Sequence, residues 1–308
     1  MSNEYRPCVS LVSYLPEAPK IIAVASKLTI SHKPVDTIKQ RITEEEVRKW
    51  IQELILHSHG SPLEHSIYIF EITCSRITSH QIVRHRIASF TQLSQRYSDK
   101  YLRQMISAIT ESMTPAPNHG RSREKFYQYS IVLRDFIDST NDWNKLLDIA
   151  SKAFIIPPKI ISRQDTSFLK NLLNTVSTYY KLLAQGVSYE DARYILPQSI
   201  KTRIIMTMNA RELIESFLPL RMCSRAQWEI RYIAWSMWRI LNTVHPEIFV
   251  YAGPRCVYYD QRSRKELCPL KKYLSNECVP SIERCPEKVK REQINKCIIY
   301  GSRDPWSL

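Results

Sequence analysis

The apolar residues Val47, Trp50, Ile51, Leu54 and Ile55 recur at i, i+3, i+4, i+7 and i+8, which predicts an amphipathic helix over residues 42–57. Thr43 and Glu46 form a TxxE capping box at its start, and Gly60 with Pro62 ends it and opens a turn. The β-branched and aromatic run at 66–73 predicts a strand with both faces covered. A short helix is expected from about 78 to 86. A polar loop around Pro115, Pro117, Asn118 and Gly120 then precedes amphipathic helices over 126–136 and 143–154. Residues 169–184 place Leu172, Leu173, Val176, Tyr179, Tyr180 and Leu183 on one stripe that stops at Gly186, and Ser188 with Asp191 caps a further short helix. Helical spacing is also read over 203–218, where Asn209 falls on the face of Met206, Ala210, Leu213 and Phe217, and over 226–244. The pattern is that of a helix-rich chain with a few strands and no repeat.

Composition narrows the class. At 308 residues, 44% hydrophobic and 24% charged, the chain fits one large globular domain or two modest ones. Only five glycines occur, and no two stand close enough for GxGxxG or GxxxxGK(S/T), which excludes Rossmann dehydrogenases and P-loop enzymes. No apolar run approaches membrane-spanning length, and residues 1–7 lack the basic and apolar regions of a signal peptide, so a cytoplasmic protein is expected. The formal net charge of +14 calls for anionic company. Between 75 and 110, Arg76, Arg84, Arg86, Arg96, Lys100 and Arg103 stand against one acid, Asp99, with polar side chains between them: a local sink for phosphate.

Three groups of residues bear on chemistry. His57, His59 and His65 with Glu64 raise a zinc site, but the spacing is neither HExxH nor a helical i, i+4 pair and Pro62 interrupts it, so no metal is expected there. Arg84-His85-Arg86 leads into Ser89, Gln92, Ser94, Gln95, Arg96 and Tyr97. On a helix, Gln81 and Arg84 share a face while Arg86 lies about 200° round from Arg84, a ledge between two anionic ligands. Ser94 has no GxSxG elbow, so donation to phosphate is a simpler role for it than nucleophilic attack. Asn209 and Arg211 need partners in an apolar pattern, and an Arg211–Glu215 pair at i, i+4 competes evenly with a ligand.

Together these residues closely resemble the flavin-dependent thymidylate synthases (ThyX), whose signature is RHR, seven residues, then Ser. Here that reads Arg84-His85-Arg86, residues 87–93, then Ser94-Gln95-Arg96-Tyr97. The resemblance extends to Ser61-Pro62-Leu63-Glu64-His65, to residues 190–197, to Met208-Asn209-Ala210-Arg211-Glu212-Leu213, and to Leu220-Arg221 through Trp228-Glu229, five blocks in order over most of the chain.

The resemblance implies an α+β fold, an antiparallel-containing sheet flanked by helices. It also implies a homotetramer with active sites shared between subunits, without nucleic-acid or membrane partners. The implied reaction converts dUMP to dTMP, with methylenetetrahydrofolate as carbon donor, FAD as hydride carrier and NADPH as reductant. By motif position, Gln81 and Arg84 contact dUMP from one subunit, and Gln92, Ser94, Gln95 and Arg96 from another, with Arg96 and Arg193 at its phosphate. His59, Ser61, Arg84, His85, Arg86, Gln92, Asn209, Arg211 and Ser216 are implied at FAD. Arg221 matches the arginine that polarises the uracil ring, so no cysteine adduct is required of Cys74 or Cys223.

This chain departs from the family pattern in a longer segment at about 99–154 and in an Asn209-to-Arg221 interval one residue longer, which leaves Glu215 or Ser216 as the next flavin position. Position 92 is Gln where some members have Glu. The expected organisation is a catalytic domain over 1–255 and a basic tail over 256–308. Cys256, Cys268, Cys278, Cys285 and Cys297 of that tail leave open a zinc site, a disulfide staple or plain buried thiols. Two other readings compete: a basic nucleic-acid-binding protein, and a metal hydrolase around the histidines. Neither predicts bound flavin.

Overall fold

The computed structural model describes residues 4–110 and 122–307. The loop expected around Pro115 to Gly120 lies outside them. From the N-terminus come β1 (Cys8–Tyr14), α1 (Ala18–Leu28), α2 (Val35–Arg41) and α3 (Glu44–Leu56), then a 3₁₀ turn at Ser61–Glu64. Next are β2 (Tyr68–Ser75), α4 (Arg76–Ile82) and β3 (Ser89–Gln92). The central helices are α5 (Lys100–Thr110), α6 (Arg123–Ser139), α7 (Trp143–Ser151), α8 (Pro158–Arg163), α9 (Thr166–Ala184) and α10 (Tyr189–Ala192). After them run β4 (Lys201–Met208), α11 (Ala210–Glu212), a π-helical turn at Leu213–Phe217, and α12 (Leu218–Arg221). The chain finishes with α13 (Trp228–Val244), α14 (Pro246–Phe249), α15 (Arg255–Arg262), α16 (Leu270–Leu274) and α17 (Arg291–Ser302).

Local signals account for most boundaries. Thr43 and Glu46 make the reciprocal capping box of α3. Asp165, Ser188 and Gln227 cap α9, α10 and α13 through their side chains. After α9 the chain reverses at Gly186, whose φ of +91° is open to glycine and strained for other residues.

The four strands form an antiparallel sheet in the order β1-β2-β4-β3, so the fold is α+β, as expected. Residues 203–218 are not one helix. Thr202, Ile204, Met206 and Met208 are buried while Arg203, Ile205 and Thr207 are partly exposed, the period of two of a strand. Pairing with β2 on one side and β3 on the other overrides the helical spacing of Met206 with Ala210, Leu213 and Phe217. In β2, Tyr68, Phe70, Ile72 and Cys74 are fully covered, but the opposite face only partly so.

Two apolar clusters result. One packs the sheet against α1, α3 and α13 and takes in Val257, Leu270, Tyr273, Ile294 and Ile298 from the C-terminal segment. The other joins α5, α6, α7 and α9. Cys268 and Cys278 are disulfide-linked, whereas Cys256, Cys285 and Cys297 are free. No helix among the described residues is long and apolar enough to cross a membrane.

Candidate active site

The site is built at the two ends of α4. Ser75 caps that helix through Thr78 N, and both Ser75 N and Ser75 Oγ donate to the buried Glu229 carboxylate at 2.7 and 2.6 Å. Burial raises the Glu229 pKa against the lowering effect of these donors. Glu229 thus ties the start of α4 to α13, and the sequence pattern gave no sign of it.

Helix α4 stops at Ile82, not near Arg86, so the expected ledge on one helix is replaced by a turn. His85 N donates to Ile82 O, the His85 ring is buried, and Arg84 and Arg86 on either side project to the exterior. Among the described residues neither guanidinium has an ion pair. The turn itself sends the two arginines outward on either side of the buried ring.

Arg221, at the end of α12 and 136 residues along the chain from His85, reaches this turn. Its Nε donates to His85 Nε2 at 3.0 Å and its Nη2 to Gln81 O at 3.0 Å. A guanidinium only donates, so His85 Nε2 accepts, and the ring proton is assigned to Nδ1. That nitrogen stands 3.3 Å from Glu212 Oε1 and 3.2 Å from Ser216 Oγ. Arg221 is half-buried and burial pulls its pKa below the ordinary value. Among the described residues it has no carboxylate partner, and its Nη1 makes no protein hydrogen bond. The result is an oriented, uncompensated cation with one face open.

The π-helical turn explains how Arg221 reaches this place. A π turn takes up an additional residue within a helix, and this one lies between Asn209 and Arg221. Asn209 is not within an apolar helical stripe but caps α11, its Oδ1 accepting from Glu212 N at 2.8 Å. Ser216 faces His85. Glu215 turns the other way, toward Arg211 Nε at 3.1 Å and Arg262 at 3.5 Å.

Arg211 also reaches Glu64 at 2.5 Å beside Ser61 and the 3₁₀ turn. Both the pair expected at i, i+4 and a second, distant carboxylate therefore engage it. A Cβ on Gly60 would stand 2.7 Å from both Arg211 Nε and Glu215 Oε1, so a glycine allows this close approach. His59 is exposed nearby, and His57 Nε2 is 3.1 Å from Glu53. No cluster of three or more metal-ligating side chains forms among the described residues.

The remaining expected residues gather at the start of α4. Gln92 Nε2 donates to Thr202 Oγ1 at 3.0 Å, and Ser94 Oγ accepts from Arg96 N at 3.2 Å. Arg96 Nε is 3.4 Å from Glu190, while Arg193 Nε donates to Glu190 O. Gln95 Nε2 is buried with no hydrogen-bond partner among the described residues. Arg76, which sequence reading passed over, belongs here too: burial, and then the charge of Arg193, pull its pKa down. Its only sequence signal was membership of the basic run. The seven residues of α4 separate this cluster from the Arg221 end by about 9 Å.

A small antiparallel sheet with an arginine–histidine–arginine turn, closed by Arg221 from α12, thus gathers cationic side chains about α4 without a glycine-rich loop. A family model described as thymidylate synthase complementing protein matches residues 10–247. The flavin-dependent thymidylate synthase of Aeropyrum pernix is 44% identical over 303 residues, covering 94% of this chain and 91% of that protein. That of Sulfurisphaera tokodaii is 39% identical over 292 residues, covering 94% and 95%. A crystal structure of thymidylate synthase X from Helicobacter pylori with FAD and dUMP has a TM-score of 0.55 at 22% identity, covering 79% of this chain and 97% of that one, a likeness of fold. The chain belongs to the flavin-dependent thymidylate synthase family.

Proposed function

We propose that this enzyme methylates dUMP reductively to dTMP, taking the carbon from methylenetetrahydrofolate and reducing equivalents from NADPH through FAD. The observation that carries this reading is Arg221, half-buried, held by His85 and Gln81, and without a carboxylate among the described residues. Such a cation demands an anion, and a pyrimidine losing its N3 proton provides one.

The residues present fit a flavin dinucleotide. Arg84 and Arg86 are exposed cations flanking the turn, and the Arg211–Glu64–Glu215 contacts, being largely exposed, are weak enough to exchange for ligand contacts. His59, Ser61, Arg84, His85, Arg86, Gln92, Asn209, Arg211 and Ser216 would hold the cofactor, which supplies hydride-carrying chemistry when bound. Arg221 stabilises negative charge on the uracil where it develops, and costs no reorganisation because His85 fixes its plane. His85 in turn is held in one tautomer by Glu212 and Ser216. Gln81 and Arg84 position the base; Gln92, Ser94, Gln95 and Arg96 position the nucleotide, with Arg96, Arg193 and Arg76 about its phosphate.

The two ends of α4 serve different subunits of a homotetramer in this reading. Supporting it, Val83, Ile87, Tyr97, Tyr194 and Leu220 are exposed around these groups, an apolar surface for another copy to cover.

The test is a visible spectrum with added FAD, followed by an assay of dTMP from dUMP, methylenetetrahydrofolate and NADPH. Bound flavin with product is expected. Absence of both would favour a nucleic-acid partner for the basic surface instead. Ser94→Ala is expected to raise KM for dUMP several-fold, the loss of roughly one hydrogen bond of about 1 kcal/mol, with little change in kcat. Complete inactivity at saturating dUMP would assign Ser94 a nucleophilic role.

A further inference from the structure

Four free cysteines from separate stretches of the chain, Cys223, Cys256, Cys285 and Cys297, line one small cavity that the proposed chemistry does not use. Its volume of about 20 Å³ admits one atom-sized occupant and no organic ligand. Burial, and then the charges of the other three sulfurs, push the Cys256 thiol up, so the four sulfurs are close electrostatic neighbours.

Burial disfavours a free thiolate at Cys223 and Cys256, while some local donors reach the sulfurs. Val289 N donates to Cys285 Sγ at 3.4 Å, while Cys285 N donates to Val289 O and Lys288 N to Cys285 O. Lys288 adopts a φ of 62° to make this turn, which aims a backbone N–H at the sulfur. Ser224 Oγ stands 2.8 Å from Cys297 Sγ, and the cavity is bordered by Arg225 and by Arg255 paired with Glu287 at 3.4 Å.

We propose that Cys223, Cys256, Cys285 and Cys297 bind one zinc ion as a structural tetrathiolate site. Four soft ligands, full coordination by protein and a dry, one-ion cavity are the requirements of structural zinc. On binding, each thiol releases its proton to solvent and each sulfur donates a pair to the metal, with no change of oxidation state. Among the described residues the sulfurs are not yet at metal-holding spacing. Binding therefore requires the cysteine side chains to change rotamer, which moves each Sγ by roughly 3 Å.

The consequence is mechanical. Cys223 lies two residues beyond Arg221, and the stretch between them already abuts the last helix, where a Cβ on Gly301 would stand 3.3 Å from Met222 O. Zinc would fasten the C-terminal segment to the chain that carries Arg221.

The experiment is metal analysis by mass spectrometry of the full chain, purified without metal-affinity steps or chelators. About one zinc per chain is expected. Cys256→Ser and Cys285→Ser should each reduce this to roughly a tenth or less, while Cys8→Ser, at an exposed thiol outside the cavity, leaves it unchanged. Cobalt(II) added to chelator-stripped wild-type protein should produce thiolate-to-cobalt charge-transfer absorption, a reading that does not depend on any variant folding. No zinc together with no cobalt absorption overturns the proposal. So does undiminished zinc in both serine variants, or a disulfide among the four in alkylated peptides of the native protein.

Discussion

Arg221→Ala is expected to lower dTMP formation by about 10²–10³-fold while flavin remains bound. The magnitude is that of removing one pre-oriented donor from a charge that develops in the transition state. The wild-type guanidinium is fixed by hydrogen bonds to His85 and Gln81, so its cost of orientation is met in folding and not at the moment of reaction. Flavin retention follows because the proposed cofactor contacts come from the turn around Ser61, from Arg84 to Arg86, and from Asn209 and Arg211. Arg221→Lys should recover only part of the loss: an ammonium keeps the charge but cannot span His85 and Gln81 as a planar fork. Single-turnover rates at saturating dUMP, with flavin absorbance read on the same sample, make the measurement. Turnover within a few-fold of wild type would remove Arg221 from the proposed chemistry.

The second large effect is on stability. Asp260, buried on α15, accepts from Ser281 N and Oγ and Ile282 N through Oδ1, and from Tyr273 and Arg264 through Oδ2. Asp260→Ala strands the Ser281, Ile282 and Tyr273 donors, leaves Arg264 only Tyr273 and Val279 as partners, and is expected to cost about 3–5 kcal/mol, as when one member of a buried ionic network is removed. Burial raises this carboxyl, but Ser281, Tyr273 and Arg264 outweigh it and hold the pKa below the ordinary carboxylate value. The carboxylate therefore contributes its full stability above the unfolded-state pKa of about 4. That contribution declines as pH falls through the lower folded-state value. Urea midpoints of wild type and variant should differ most near neutrality and converge in acid. A difference below about 1 kcal/mol at neutral pH would mean that the C-terminal segment is not anchored through Asp260.

Much of the architecture was legible along the chain because it rests on local rules. The capping box at Thr43, the cap at Ser188, and the long stripes of α9 and α13 each follow from residues within a turn or two of one another. Where a signal was short, distant pairing decided. Residues 201–208 carry a few apolar positions that fit either period, and only the neighbouring strands β2 and β3 make them extended. The same holds for the RHR turn: Gln81 to Arg86 reads as helix locally, yet the chain breaks so that His85 can bury against Arg221 and Phe217, whose ring centroid is 4.9 Å away.

The candidate site divides in the same way. The sequence by itself determined which residue types are available: the arginines, the amides, the single serine of the motif, and the absence of a glycine-rich cradle. Their resemblance to one family supplied expected roles. Only the tertiary structure decided their partners, bringing Arg221 to His85 across 136 residues, Glu229 to Ser75 across 154, and Arg76 toward Arg193. A side chain's neighbours along the chain set its backbone preferences. Its orientation, desolvation and pairing are set by groups that become neighbours only when the sheet and helices close, and those are the quantities on which binding and catalysis depend.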